Sequence, residues 1–140
     1  MSITWDEIEI GSELPAQSFV LHRVDLIKYA GASGDFNIIH WNERVATEVG
    51  LPGVIAHGML TMAEAVRVIT DWTGDPGSVV EYGVRFTRPV PVPDTDAGTT
   101  IDVTGKVTAK NDDGTVTVTL SASCDGQTVL AKSVARVRLS

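Results

Sequence analysis

The chain has 140 residues, 43% hydrophobic and 21% charged, which suits one globular domain over residues 1–140 and excludes a disordered or fibrous chain. A net charge of −7 argues against nucleic acid as a partner, and no apolar run is long enough for membrane insertion. The acidic N-terminal stretch MSITWDEIEIG lacks the order of a signal peptide, and Cys124, the one cysteine, excludes an internal disulfide and fits a reducing cytoplasm. Most Lys and Arg residues follow residue 84, so a local basic rim can exist on an acidic molecule.

The predicted elements fall into two textures, helices and loops before residue 79 and strands after it. Residues 14–23 form a first strand, with Gln17, Phe19 and Leu21 on one parity, although the alternation is weak. Residues 25–32 form a short helix. The segment GASGDFNIIHW that follows is rich in turn formers, so its backbone is irregular. Asn42 caps a second short helix through Glu48, closed by Gly50. Residues 56–72 make the strongest helix. Met59, Met62, Val66 and Ile69 line one face, and Leu60, Ala65 and Val68 make the other apolar too, so burial nearly all round is expected. Residues 79–92 form one long extended stretch, with Pro89, Pro91 and Pro93 placing its end at an edge or bulge. Ile101, Val103, Gly105 and Val107 share a strand face, Asn111–Gly114 is a hairpin turn, and Val116, Val118, Leu120 and Ala122 return along the next strand. Asp125–Gly126 turns into a last strand over residues 127–139. The sum is an α+β fold: a curved antiparallel sheet wrapped around one central helix.

Three segments hold residues with chemical potential. Asp35 and His40 form an acid–base pair if a turn brings them together, with Asn37 placed to hold a water or orient one of them; the same residue types also serve as turn formers and caps. Gly58 opens the central helix, where free N–H groups and the dipole favour negative charge and the missing side chain lets a carbonyl oxygen approach. His57 before it fits a core position as well as a chemical one. In VRFTRPV, Arg85 either lies on a solvated strand face or meets a nucleotide or pantetheine arm.

Taken together, these segments resemble a known family. GDFNIIHW is similar to the G-D-x-N-P-x-H motif of the MaoC-like, R-specific enoyl-thioester hydratases and dehydratases, with Ile38 in place of the usual proline. AHGMLTMA resembles the A-H-G-M-x-x-M start of the family's central helix, and VRFTRPV its V-R-F-x-x-P-V strand. The turn WTGDPG at residues 72–77 and the plain length resemble, within that family, the catalytic B-type subunits of mycobacterial 3-hydroxyacyl-ACP dehydratases. The stretch VPDTD at residues 92–96 departs from the Gly-Asp turn of many relatives. The resemblance implies a hot-dog fold, an acyl-CoA or acyl-ACP substrate and no metal or redox cofactor. It implies Asp35 and His40 as the acid–base dyad, Asn37 as their water-holding neighbour and the Gly58 N–H as the oxyanion donor. A homodimer or a heterodimer with a second hot-dog subunit is expected.

Alternatives within that frame are a catabolic or polyester-supplying enoyl-CoA hydratase and a non-catalytic subunit that shapes a partner's acyl tunnel. A hot-dog thioesterase is a third, with Glu64 as its acid–base residue on the central helix. The excess apolar surface of that helix places the acyl chain past Met59, Leu60 and Met62, with Val54 and Ile55 near the mouth.

Overall fold

The computed structural model describes residues 2–140. In chain order its elements are β1 (Glu13–Leu21), α1 (Arg23–Ser33), α2 (Glu43–Glu48), α3 (Gly58–Thr73), β2 (Val79–Phe86), β3 (Thr99–Lys110), β4 (Thr115–Cys124) and β5 (Gln127–Arg138). The strands form one antiparallel sheet of five in the order β1-β3-β4-β5-β2, and α3 packs against β1, β2, β3 and β4. This is the hot-dog arrangement. None of the described helices is long and apolar enough to cross a membrane.

Local chemistry accounts for the element ends. Asn42 accepts from the Val45 N–H at 3.0 Å and starts α2. Gly34 and Gly74 end α1 and α3 in the left-handed conformation, at φ 79° and 71°, where a Cβ is strained. The two-residue turn Asp125–Gly126 joins β4 to β5 with both residues at positive φ, which matches the twist of the paired strands.

The weak alternation of the first strand has a structural cause. The pairing of β1 with β3 shifts between Leu14 and Gln17, so Leu14 and, beyond the bulge, Phe19 and Leu21 all face the core despite opposite parities. Along β3 no such shift intervenes before Val107, and Ile101, Val103, Gly105 and Val107 are buried as their alternation predicts.

Two expectations are corrected. The stretch over residues 79–92 is not one strand. β2 ends at Phe86, and the chain peels away from β5 because prolines at 89, 91 and 93 lack the N–H groups a ladder needs. The valines between them pair elsewhere: Ala56 N donates to Val90 O at 2.8 Å and Val92 N to Val54 O at 2.9 Å. Nor is α3 buried all round. Leu60, Thr61, Ala65, Val68 and Ile69 meet the sheet, whereas Met59 is 57% exposed, because a sheet of five strands covers one side of the helix.

Candidate active site

The segment that precedes α3 is extended and held on both sides. Residues 54–56 pair with residues 90–92 as described, and the Ile55 N–H donates to Ile39 O at 3.3 Å on the other side. This places the Ile55 carbonyl against His40, whose Nδ1 lies 2.7 Å from it. A carbonyl oxygen only accepts, so Nδ1 carries the proton and the neutral ring keeps its lone pair on Nε2. That Nε2 faces Asp35 Oδ2 at 3.9 Å. The separation exceeds a hydrogen bond and leaves each group free for a proton on a third atom. His40 is buried and Asp35 is half exposed, so the pair stands at a border between core and solvent.

The loop before His40 is locally braced. Asp35 Oδ1 accepts from the Asn37 N–H at 3.1 Å, and Asn37 Oδ1 accepts from the Ile39 N–H at 3.3 Å. Asn37 therefore shapes the turn with its oxygen and keeps its amide NH₂ available. Trp41 donates its ring N–H to Phe36 O at 3.0 Å and closes the same loop.

Beside the pair is a cavity of about 300 Å³ whose walls include His40, Ile55, Gly58, Thr61, Phe86 and Arg88. Its floor comes from Val129 and Leu130 of β5. The cavity opens where residues 88–90 leave the sheet, after the last backbone bond to β5 from Thr87. Gly58 opens α3, and among the described residues nothing accepts from its N–H. A Cβ at Gly58 would sit 3.0 Å from the Phe86 ring, so a larger residue here requires that ring to shift.

The structure thus brings Asp35, His40, Gly58 and Ile55 together, with Asn37 bracing the loop. It places the other predicted residues elsewhere. Val54 is buried behind the Glu43 carboxylate, which accepts from its N–H at 3.3 Å. Met59 points to solvent, and Leu60 lines a separate hollow beside β1 and α1. Met62 is half-buried, and its carbonyl accepts from the Tyr82 hydroxyl at 2.9 Å. Arg85 is exposed on the strand face opposite Tyr82 and Phe86, and Arg88 reaches the cavity instead. The parity of β2 carried that signal, since Tyr82, Val84 and Phe86 share the face turned to α3. Glu64 pairs with Arg67 at 2.9 Å and lines the hollow away from His40. Thr61, Val129 and Leu130 were not expected, and no local motif marks them.

His57 lies at the centre of the cluster. It is 1% exposed, stacks on His40 with ring centroids 3.8 Å apart, and sets its Nε2 3.1 Å from the Asp35 carbonyl. Burial holds its pKa below the usual 6.5, against the raising effect of the Asp35 carbonyl; a charge on neighbouring His40 lowers it further. One donor atom each from Asp35, His40 and His57 fall within 4.8 Å of one another. The two rings are stacked 22° from parallel, however, so their in-plane lone pairs run side by side and do not converge on one ion. The geometry suits proton transfer better than cation binding.

Comparison with known proteins agrees with this architecture. The MaoC like domain matches residues 7–124, and the chain belongs to that family. It is 40% identical over 81 residues to 3-hydroxyacyl-thioester dehydratase X of Mycobacterium tuberculosis, an alignment covering 58% of this chain and 28% of that protein. A solved MaoC-like dehydratase superposes with a TM-score of 0.94 at 38% identity, covering 99% of this chain and 43% of the other. The unliganded R-hydratase PhaJ1 of Pseudomonas aeruginosa superposes with a TM-score of 0.83 at 26% identity, covering 99% of this chain and 86% of that one. The chain thus spans well under half the length of the first two of these relatives.

The lowered pKa of His57 makes stability depend on pH. Above its ordinary value of 6.5 the ring is neutral in both folded and unfolded chains. As pH falls below that value the unfolded chain takes up a proton that the folded one resists, so stability declines until the folded pKa is passed. The expected outcome is a melting temperature that falls between about pH 7 and about pH 5, and falls less in a His57→Phe variant, as followed by circular dichroism.

Proposed function

We propose that this chain is a hydro-lyase that interconverts (3R)-hydroxyacyl thioesters and trans-2-enoyl thioesters plus water, in fatty-acid elongation of the mycolic type. The observation that carries it is the facing of His40 Nε2 and Asp35 Oδ2, 3.9 Å apart, at a cavity that also receives the helix start at Gly58. The names of the relatives, a 3-hydroxyacyl-thioester dehydratase and an R-hydratase, support the same chemistry.

In the hydration direction a water sits between Asp35 and His40, with the Asn37 amide as a further donor. The thioester oxygen accepts from the Gly58 N–H, where the helix dipole favours the enolate charge that develops. The water oxygen bonds to C3 as the double bond opens. One dyad member takes the water's proton and the pair returns one proton to C2, so the hydroxyl ends on C3, the hydrogen on C2, and the dyad in its starting protonation state. Asp35 and His40 face each other at 3.9 Å and act from one side of the substrate, which makes the addition syn. His40 enters with its Nε2 lone pair exposed and so acts first as an acceptor. The acyl chain follows Ile55, Thr61, Val129 and Leu130. Arg88, with its Nη1 3.2 Å from Thr128 O, stands at the wall as a cation for the phosphate of a CoA or ACP arm. The buried free thiol of Cys124 fits the cytoplasm.

The functional unit in this proposal pairs the chain with a second hot-dog domain, identical or not. Support comes from β2, an edge strand exposed along most of its length, and from large apolar side chains left open near the site: Phe36, Trp41, Met59 and Phe86. A long bare edge invites pairing with another chain.

Asp35→Asn and His40→Ala are each expected to lower crotonyl-CoA hydration by about 10²–10⁴-fold with the fold retained. Near-wild-type turnover in either removes that residue from the chemistry. Ile55→Phe narrows the cavity, so crotonyl-CoA should be spared while longer enoyl-CoA substrates lose about tenfold or more in kcat/KM; equal losses would place the acyl chain elsewhere. Light scattering of the active protein at micromolar concentration should report a dimer, or a heterodimer once the partner is supplied. A stable, active monomer refutes the pairing.

A further inference from the structure

His57 is absent from the proton transfers above, yet Asp35, His40 and Tyr29 all meet its ring. It occupies the residue before α3, where Ser, Thr, Asp or Asn would cap the helix, and its side chain makes no capping bond. The imidazole turns the other way. Its Nε2–H donates to the Asp35 carbonyl at 3.1 Å, and its face covers the face of His40 at 3.8 Å and 22°. Tyr29 of α1 meets it edge-on, with centroids 4.7 Å apart. Its Nδ1 is buried and has no partner among the described residues. A buried orphan acceptor at a position suited to a cap is a double disadvantage for stability alone.

We propose that His57 is the positioning residue of the Asp35–His40 pair, holding the Asp35 backbone by a hydrogen bond and the His40 ring by stacking, and so keeping His40 Nε2 turned to the cavity as an acceptor. This rests on the dyad reading of Proposed function. The groups that face His57 are His40 and Asp35 from the motif loop and Tyr29 from α1. A neutral His57 keeps a second charge away from His40 when that ring takes a proton, and burial favours the neutral form. The single hydrogen bond from His40 to Ile55 allows rotation about its own axis; the stacked ring removes that freedom.

Two variants separate this role from a structural one. His57→Asn supplies a helix cap and removes the ring, so the protein is expected to fold and melt close to wild type. Its kcat for crotonyl-CoA hydration should fall about 10- to 100-fold with KM changed less than about twofold, as expected when a reacting group is misplaced by a fraction of an ångström to about an ångström. ¹⁵N-detected NMR of the imidazoles should show sharp signals for an Nδ1–H His40 in wild type, and in His57→Asn signals broadened by exchange between ring orientations, since the bond to Ile55 still holds the proton on Nδ1. His57→Phe keeps a ring for stacking and should retain more turnover and sharper His40 signals than His57→Asn. Wild-type kcat in His57→Asn overturns the proposal. So does a rise in KM with kcat unchanged, or a loss of kcat with the His40 signals as sharp as in wild type. If instead Asp35→Asn and His40→Ala keep wild-type turnover, it is the dyad that fails, whatever the His57 variants do.

Discussion

The site depends on three consecutive residues, 54–56, pinned between two other segments by backbone hydrogen bonds. On one side they pair with residues 90–92, where Pro89, Pro91 and Pro93 lack N–H groups and the donors are left to the valines between them. On the other side Ile55 bonds Ile39 through its N–H and His40 through its carbonyl. This one strip sets the tautomer of His40, fixes where α3 begins, and holds residues 88–90 off the sheet so that a cavity opens beside Gly58. Weakening it would move His40 and the start of α3 together.

The two buried imidazoles illustrate how backbone carbonyls assign protonation. Each hands one N–H to a carbonyl, His40 to Ile55 and His57 to Asp35, and each is left with a lone pair on its other nitrogen. The outcomes differ because the surroundings differ. The free nitrogen of His40 meets a half-exposed carboxylate at the cavity, and that of His57 meets no polar partner. Asp35 meets both rings, its carboxylate facing His40 at 3.9 Å and its main-chain carbonyl accepting from His57, so loop position bears on both.

The half-covered helix is the counterpart of this arrangement. A sheet of five strands buries Leu60, Ala65, Val68 and Ile69 and leaves Met59 outside, next to apolar groups from the motif loop and β2.

Much of this was legible in the sequence because it is local. Asn42 caps α2, Asp125–Gly126 turns between β4 and β5, and β3 alternates, since each depends on the dihedral preferences or parity of neighbouring residues. Asp35, Asn37, His40 and Gly58 stood out through motifs whose spacing survives in the chain, although residue types alone left them open to a structural role. What the tertiary structure decided is what depends on distant partners. The bulge in β1 exists only in register with β3, and the outward turn of Met59 only in relation to which side of α3 the sheet covers. The cavity wall joins Thr61, Arg88 and Leu130 from separate parts of the chain, so no window of sequence contains it. The same holds for His57, which looks like an ordinary residue at a helix start until folding lays its ring on His40. Hydrogen-bond direction and ring contact arise from three-dimensional packing, and a linear pattern records only which residues are available for it.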